Sequence, residues 1–382
     1  MTGRVGVARV SLVDYVDERS GRRYPLDALR WCGDDGAPLT VEALPGITRE
    51  QVDTAERSLW RYRAALPGDL RPISLGEGCT PLVERPWRGH DTRFKLEWFS
   101  PTGSFKDRGS SVMLSALAQA GVREVLEDSS GNGGSSVSAY AAAAGIAATI
   151  LAPESTSPAK ILQSRAYGAT VDLVPGTRDD TAAEALRRSG ETTYASHNWH
   201  PFFLQGTKTL AYELWEDFGF TAPDTVVTVA GAGSIVLGLD LGFGELLASG
   251  AIAKRPRLLV AQPANCAPID AAFRAGAEHA VPTEFAPTIA EGTAIREPVR
   301  LPEVLAAIRR SGGTTVAIAE DEIARAAREL PRIGLYAEPT SATAAAAVDV
   351  FRAGGVLAPG ETTAVILTGS GLKAATTMST LL

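Results

Sequence analysis

The sequence predicts an α/β protein of two parallel-sheet domains, and three observations carry that prediction. Past residue 75, short apolar runs rich in β-branched residues alternate with Ala-rich stretches of helical length, the order that builds parallel sheets from strand–helix–strand units. Several strand-to-helix junctions are crowded with glycine, serine and asparagine, as happens where a ligand gathers at the carboxyl edge of such a sheet. The chain has 382 residues, 45% hydrophobic and 21% charged, enough to bury a sizeable core in two or three domains.

Residues 1–75 read as a polar lead-in with short apolar pieces. Within it, TREQVDTAERSLWRYRAA predicts a helix over 48–65, with Thr48 as cap, Glu50 in the first turn and apolar side chains at helical spacing. Strands are expected at 122–126, 147–151, 171–174, 226–229, 257–261 and 364–367. Helices are expected at 111–120, 135–144, 159–167, 181–188, 207–218, 323–328 and 342–351. A strand near 192 joins those near 122, 147 and 171 in the smaller sheet.

Composition excludes several function classes. The net charge of -7 is spread along the chain without a basic stripe, so neither nucleic acid nor an anionic membrane surface is an expected partner. The most apolar stretch, 139–151, is Ala- and Gly-rich and too short to cross a bilayer. The opening MTGRVGVARV lacks the apolar core of a secretion signal. Cys32, Cys79 and Cys266 lie far apart with no CxxC, which points to a reducing cytoplasm and to neither zinc nor disulfides. His197 and His200, at i and i+3, lack further ligands at suitable spacing, so no metal site is expected.

The junctions carry the chemistry. Ser100-Pro101-Thr102-Gly103-Ser104-Phe105-Lys106-Asp107-Arg108-Gly109 is a turn opening a helix near Lys106. A cation is electrostatically misplaced at a helix N-terminus. A neutral nitrogen, as in an imine with an aldehyde cofactor, removes the conflict; a solvated lysine is the alternative. Ser129-Ser130-Gly131-Asn132-Gly133-Gly134 follows the strand at 122–126, and offers either a close approach to a carboxylate or a plain Gly-rich turn. Gly231-Ala232-Gly233-Ser234-Ile235 follows the strand at 226–229. Its backbone N–H groups suit a phosphate. The third glycine of a dinucleotide fingerprint is absent, Val236 standing in its place. After the last strand comes Leu367-Thr368-Gly369-Ser370-Gly371-Leu372-Lys373, where the Thr368 hydroxyl suits a ring nitrogen.

Taken in order, S-x-T-G-S-F-K-D-R-G, S-S-G-N-G-G, the late glycine loop and T-G-S-G-L-K resemble the fold-type II pyridoxal phosphate (PLP) enzymes, tryptophan synthase β-like in fold. Within them the chain is most similar to the threonine synthase-like group, from about Gly76 to Lys373. Further matches are Gly206-Thr207-Lys208-Thr209, Ala294-Ile295-Arg296 and Glu338-Pro339-Thr340-Ser341-Ala342. The resemblance implies that Lys106 forms the Schiff base and shuttles protons, with Phe105 beside the ring. It implies that Asn132 bonds the ring hydroxyl, that Gly231, Ala232, Gly233, Ser234 and Ile235 hold the phosphate, and that Thr368 faces the pyridine nitrogen. The loop Ser129, Ser130, Gly131 and Asn132 would grip the substrate carboxylate, with Asn198 and Arg296 as further substrate contacts. Lys160 and Arg165 are added candidates for a substrate phosphate. A homodimer is expected on the same grounds. So is a division into a large domain, 1–106 with 204–382, and a small one, 107–203, with the cofactor between them.

Departures from the group fall at Ser370 and Ala374, where threonine synthases read T-G-H-G-L-K-D, at S-S-G-N-G-G, where many members read S-T-G-N-T, and at Tyr194 to Phe203, which replaces a simpler N-P element. The expected reaction is conversion of O-phosphohomoserine to threonine and phosphate by γ-elimination and addition of water at Cβ. The alternatives are β-elimination or replacement on a serine-, phosphoserine- or threonine-type amino acid, and a catalytically retired regulatory protein. The neutral Thr368 opposite the ring nitrogen fits elimination and replacement better than transamination.

Overall fold

The computed structural model describes residues 13–382; the opening segment read above for a secretion signal lies outside them. A six-stranded sheet runs Thr314–Ile318, Arg257–Pro263, Thr225–Val229, Thr363–Leu367, His90–Leu96, Leu82–Trp87. All neighbours are parallel except the last pair, an antiparallel hairpin at the edge. A four-stranded parallel sheet runs Thr170–Val174, Ala147–Pro153, Glu124–Glu127, Thr193–Tyr194. Near the start, Asp14–Val16, Arg23–Pro25 and Thr40–Val41 make a small antiparallel sheet. No helix among the described residues is long and apolar enough to cross a membrane.

Every residue of Thr225–Val229 is buried, as a parallel strand covered on both faces requires. Successive side chains serve opposite faces. Val226, Leu258 and Ile366 pack under helices Thr209–Asp217, Ser234–Ala248 and Leu301–Arg310. Val227, Leu259 and Val365 pack under Glu320–Glu329 and Pro339–Ala353. A third core joins Tyr15 and Leu39 to Leu114, Val137, Tyr140 and Phe203, tying the N-terminal segment to the helices of the smaller sheet.

Two expected elements take another form. Residues 48–65 are not one α-helix but two 3-10 segments, Arg49–Gln51 and Leu59–Ala65. Asp53 Oδ1 accepts the Ala55 N–H at 3.1 Å and Ser58 Oγ accepts the Trp60 N–H at 3.2 Å. Short polar side chains thus capture the backbone donors that a continuous helix would use. The helix expected at 207–218 is two, Pro201–Thr207 and Thr209–Asp217. Thr207 and Thr209 hydroxyls donate back to the Phe203 and Gly206 carbonyls at 2.9 and 2.7 Å, a pattern that bends helices.

Candidate active site

The strands deliver their junctions to one cavity of about 720 Å³. Lys106 opens helix Lys106–Gln119, and its neighbours are pinned. The Phe105 N–H donates to the Thr368 carbonyl at 2.9 Å. Asp107 accepts the Thr102 N–H, the Thr102 hydroxyl and the Ser136 hydroxyl at 2.7, 2.6 and 2.6 Å. Arg108, fully buried, pairs with Glu97 at 2.7 Å and Glu213 at 2.9 Å. A Cβ on Gly109 would lie 2.5 Å from the Phe203 ring, so the helix approaches that ring as only glycine allows.

Lys106 itself is left without a hydrogen-bond partner among the described residues. Its Nζ stands 4.8 Å from the Phe105 ring centre and 5.6 Å from that of Phe203. Burial pulls the amine down to about 8, against the opposing pull of Glu127 and Glu338. A lysine held this way is closer to its nucleophilic neutral form than a solvated one.

The facing wall is the Ser129–Asn132 turn. A Cβ at Gly134 would fall 1.8 Å from the Ser129 carbonyl, so the turn closes only over glycine. Asn132 Nδ2 donates to Glu338 Oε1 at 3.1 Å, and burial lifts the Glu338 carboxyl to about 7. At the third junction, Gly233 has φ +94°, and a Cβ there would meet Val304 at 2.2 Å. Helix Ser234–Ala248 starts without a side-chain cap, so its first N–H groups remain free for an anion. Beside it the Thr368 hydroxyl lies 3.0 Å from Ser341 Oγ, which accepts the Gly369 N–H at 2.8 Å.

Phe105, Lys106, Ser129, Ser130, Gly131, Asn132 and Asn198 line this cavity, as do Gly231, Ala232, Gly233, Ser234, Ile235 and Thr368. Arg296 does not; its guanidinium lies 5.6 Å over the Phe285 ring and borders a smaller recess. Of the added candidates, Lys160 lines the cavity but forms an ion pair with Glu291, and Arg165 is exposed elsewhere. Sequence reasoning missed Glu338, Lys373, Arg178 and the His197–Glu127 pair as members of the site. Arg178 pairs with buried Asp128 at 2.7 Å, and Lys373 donates to Ser135 Oγ at 2.9 Å. Among the described residues, no group of three or more His, Cys, Asp or Glu is placed to hold a metal.

A buried lysine without a hydrogen-bond partner and an uncapped helix start, both on one cavity, fit a class: enzymes that hold a phosphorylated aldehyde cofactor covalently. Residues 73–369 match the family model described as pyridoxal-phosphate dependent enzyme, and the chain belongs to that family. It is 32% identical over 370 residues to a threonine synthase of Methanocaldococcus jannaschii, covering 93% of this chain and 91% of that one. Among solved structures, a threonine deaminase from T.th. matches with TM-score 0.64 and 28% identity, over 76% of this chain and 92% of that one. Maize serine racemase matches in fold with TM-score 0.67 and 23% identity, over 79% of this chain and 91% of that one. The protein is a PLP-dependent, fold-type II enzyme, and the residues fit the group: Lys106 is free to bond it and the cup before helix Ser234–Ala248 offers donors for its phosphate.

Proposed function

We propose that the chain is a threonine synthase-like lyase that takes O-phosphohomoserine to threonine and phosphate. The observation that carries this reading is the similarity to threonine synthases along nearly the whole length of both chains. PLP, when bound, supplies the electron sink that lets bonds at the substrate Cα break. The chain's own residues select the bond and move the protons. Lys106 holds the cofactor, and its amine, when free, removes and returns the Cα proton. The Ser129–Asn132 turn orients the substrate carboxylate. Phe105 packs beside the ring and Asn132 bonds the ring oxygen. Residues 231–235 hold the cofactor phosphate, and Thr368, a neutral hydroxyl, faces the ring nitrogen without protonating it. The cations Lys160 and Arg178, with Asn198, lie at the cavity wall for the substrate phosphate; Arg296 borders the adjoining recess. We also propose the division into 1–106 with 204–382 and 107–203, and a homodimer in the cytoplasm.

A second reading, β-elimination or replacement on a serine- or threonine-type amino acid, is favoured by one observation. Arg178 and Lys160 are already matched by Asp128 and Glu291, which leaves less positive charge for a phosphate dianion. The test is release of threonine and phosphate from O-phosphohomoserine by the PLP-loaded protein. Equal amounts of both are expected. Turnover of serine or threonine instead would select the second reading. Borohydride reduction, followed by peptide mapping, is expected to place the cofactor on Lys106; finding it on Lys95 or Lys208 would overturn the site.

A further inference from the structure

Two departures in the sequence become one feature in the structure. Gly133 stands where the S-T-G-N-T pattern of the group this chain resembles would place threonine, and His197 lies in the segment that departs from that group's N-P element. A Cβ at Gly133 would lie 2.7 Å from His197 Nδ1 and 3.0 Å from Ser129 Oγ. The imidazole and a threonine at 133 exclude each other, so the glycine and the histidine come as a pair.

The imidazole is fixed in orientation. Its Nδ1 lies 2.5 Å from Glu127 Oε1, and the His197 backbone N–H donates to Glu127 Oε2 at 3.3 Å. The ring meets Phe203 edge-on with centres 5.9 Å apart, and Lys106 Nζ stands 5.6 Å from the centre of that same Phe203 ring. Nε2 has no protein partner among the described residues and is not sealed away; the ring forms part of the cavity wall. The charged groups around it are Glu127 and Asp128 on their strand end, Lys106 on its helix and Arg178 on another. Burial lifts the Glu127 carboxyl well above the ordinary range, and burial with the nearby Lys106 and Arg178 cations holds the imidazole well below 6.5. Such a ring is neutral at working pH; when Glu127 is ionised and accepts Nδ1–H, the lone pair sits on Nε2.

We propose that His197, oriented by Glu127, is a second proton-transfer residue of this site, acting on the oxygen that joins the substrate side chain while Lys106 acts at Cα. The inference rests on the reading that an amino acid is processed in this cavity. In the addition of water, an O–H bond breaks, the proton passes to His197 Nε2, and the oxygen's electron pair forms the bond to Cβ. The pair displaced from the Cα–Cβ double bond takes up the proton that Lys106 returns to Cα. His197 then gives its proton to the departed group or to bulk water, which restores the neutral ring. Small-residue space at 133, a carboxylate behind Nδ1 and an open Nε2 are what such a base requires.

The experiment separates the two protons. Full-length protein loaded with PLP is incubated in D2O with O-phospho-L-homoserine and, in parallel, O-acetyl-L-serine, and NMR follows both loss of the Cα–H signal and product. For His197→Asn, Cα–H exchange is expected to stay within about threefold of the unaltered protein while product formation falls roughly 100-fold or more. The low-pH limb of the product rate should disappear with it. A parallel fall of exchange and product would show a structural role and overturn the proposal, as would unchanged product formation. Product from O-acetyl-L-serine alone would overturn the threonine reading and leave His197 testable on that probe. No turnover of either probe would overturn both. Thermal melts supply a readout independent of activity: Gly133→Thr should lower Tm, and adding His197→Asn should restore it. Failure of the double variant to recover would refute the steric pairing.

Discussion

Glu338 is buried beside Asn132, and its oxygens lie 3.1 and 3.3 Å from the amide nitrogen. Burial is the largest influence on it and raises its pKa from 4.5 to about 7. The sign follows from proton binding. Between those values the folded chain holds a proton that the unfolded chain has released, so stability is highest below 4.5 and is lost as pH rises through 7. The whole span is worth about 3 kcal/mol, at about 1.4 kcal/mol per unit. Glu338→Gln is therefore expected to raise Tm at pH 8 while changing it little at pH 4.5, a comparison that thermal melts at the two pH values provide. A variant equally stabilised at both pH values would mean that the carboxyl is not held protonated. The sequence marked Glu338 within a motif of the resemblance but not as a site residue, because its partner Asn132 lies 206 positions away and only the fold brings them together. The Lys106 junction stood out for the opposite reason: turn, lysine and helix start are neighbours in the chain, and the charge conflict at a helix N-terminus can be read locally, while the choice of an imine over a solvated lysine came from the resemblance.

Among the elements, the start of helix Pro201–Thr207 shows how a departure is absorbed. His200 stands before Pro201, and its Nδ1 accepts the Phe202 N–H at 3.3 Å, the task an asparagine side chain performs at the same cap. The ring is fully enclosed, and burial, helped by Arg300, lowers its pKa from 6.5 to about 3. Here the unfolded chain binds the extra proton, so the folded state loses about 1.4 kcal/mol for each unit that pH falls from 6.5 towards 3. His200→Asn keeps the cap without the titration. It is expected to match the parent within about 1 kcal/mol at pH 7.5 and to exceed it in Tm at pH 5; an equal loss at both pH values would rule out the titration. The predicted strands all appear because continuous β-branched runs have few other outcomes in a covered parallel sheet. The edge hairpin was not anticipated: in His90–Leu96, Lys95 is fully buried and its Nζ is held by Glu213 and Asp217, each at 2.6 Å, so an inward residue reads as polar. The segment 48–65 failed as a helix for a local reason, since Asp53 and Ser58 cap short turns of their own.

For the whole molecule, the two sides of the cavity are joined differently at its back and at its mouth. At the back, Leu114, Val137, Tyr140 and Phe203 share one apolar core with the N-terminal Tyr15 and Leu39, and the Trp60 indole N–H donates to Ser111 Oγ at 2.9 Å. At the mouth the links are polar: Asn132 to Glu338, Lys373 to Ser135, and the ion pair of Lys160 with Glu291. Apolar burial is insensitive to added salt on this scale, whereas the Lys160 and Glu291 side chains, 40% and 50% exposed, are open to screening. Opening at the mouth about a hinge at the back is the motion this asymmetry permits. Lys160→Ala is then expected to leave Tm nearly unchanged, since an exposed pair is worth roughly 0–1 kcal/mol, while speeding ligand release by up to about fivefold, the rate equivalent of 1 kcal/mol. Stopped-flow measurement of the release of threonine, which has no phosphate for Lys160 to touch, from the PLP-loaded protein at low and at 1 M salt checks it. Salt should speed release from the parent towards the rate of the variant and leave the variant nearly unmoved, because at 1 M the screening length of about 3 Å leaves the pair little to hold with. If salt accelerates both proteins equally, the charge pair is not the latch, and the bonds of Asn132 and Lys373 hold the mouth closed without it.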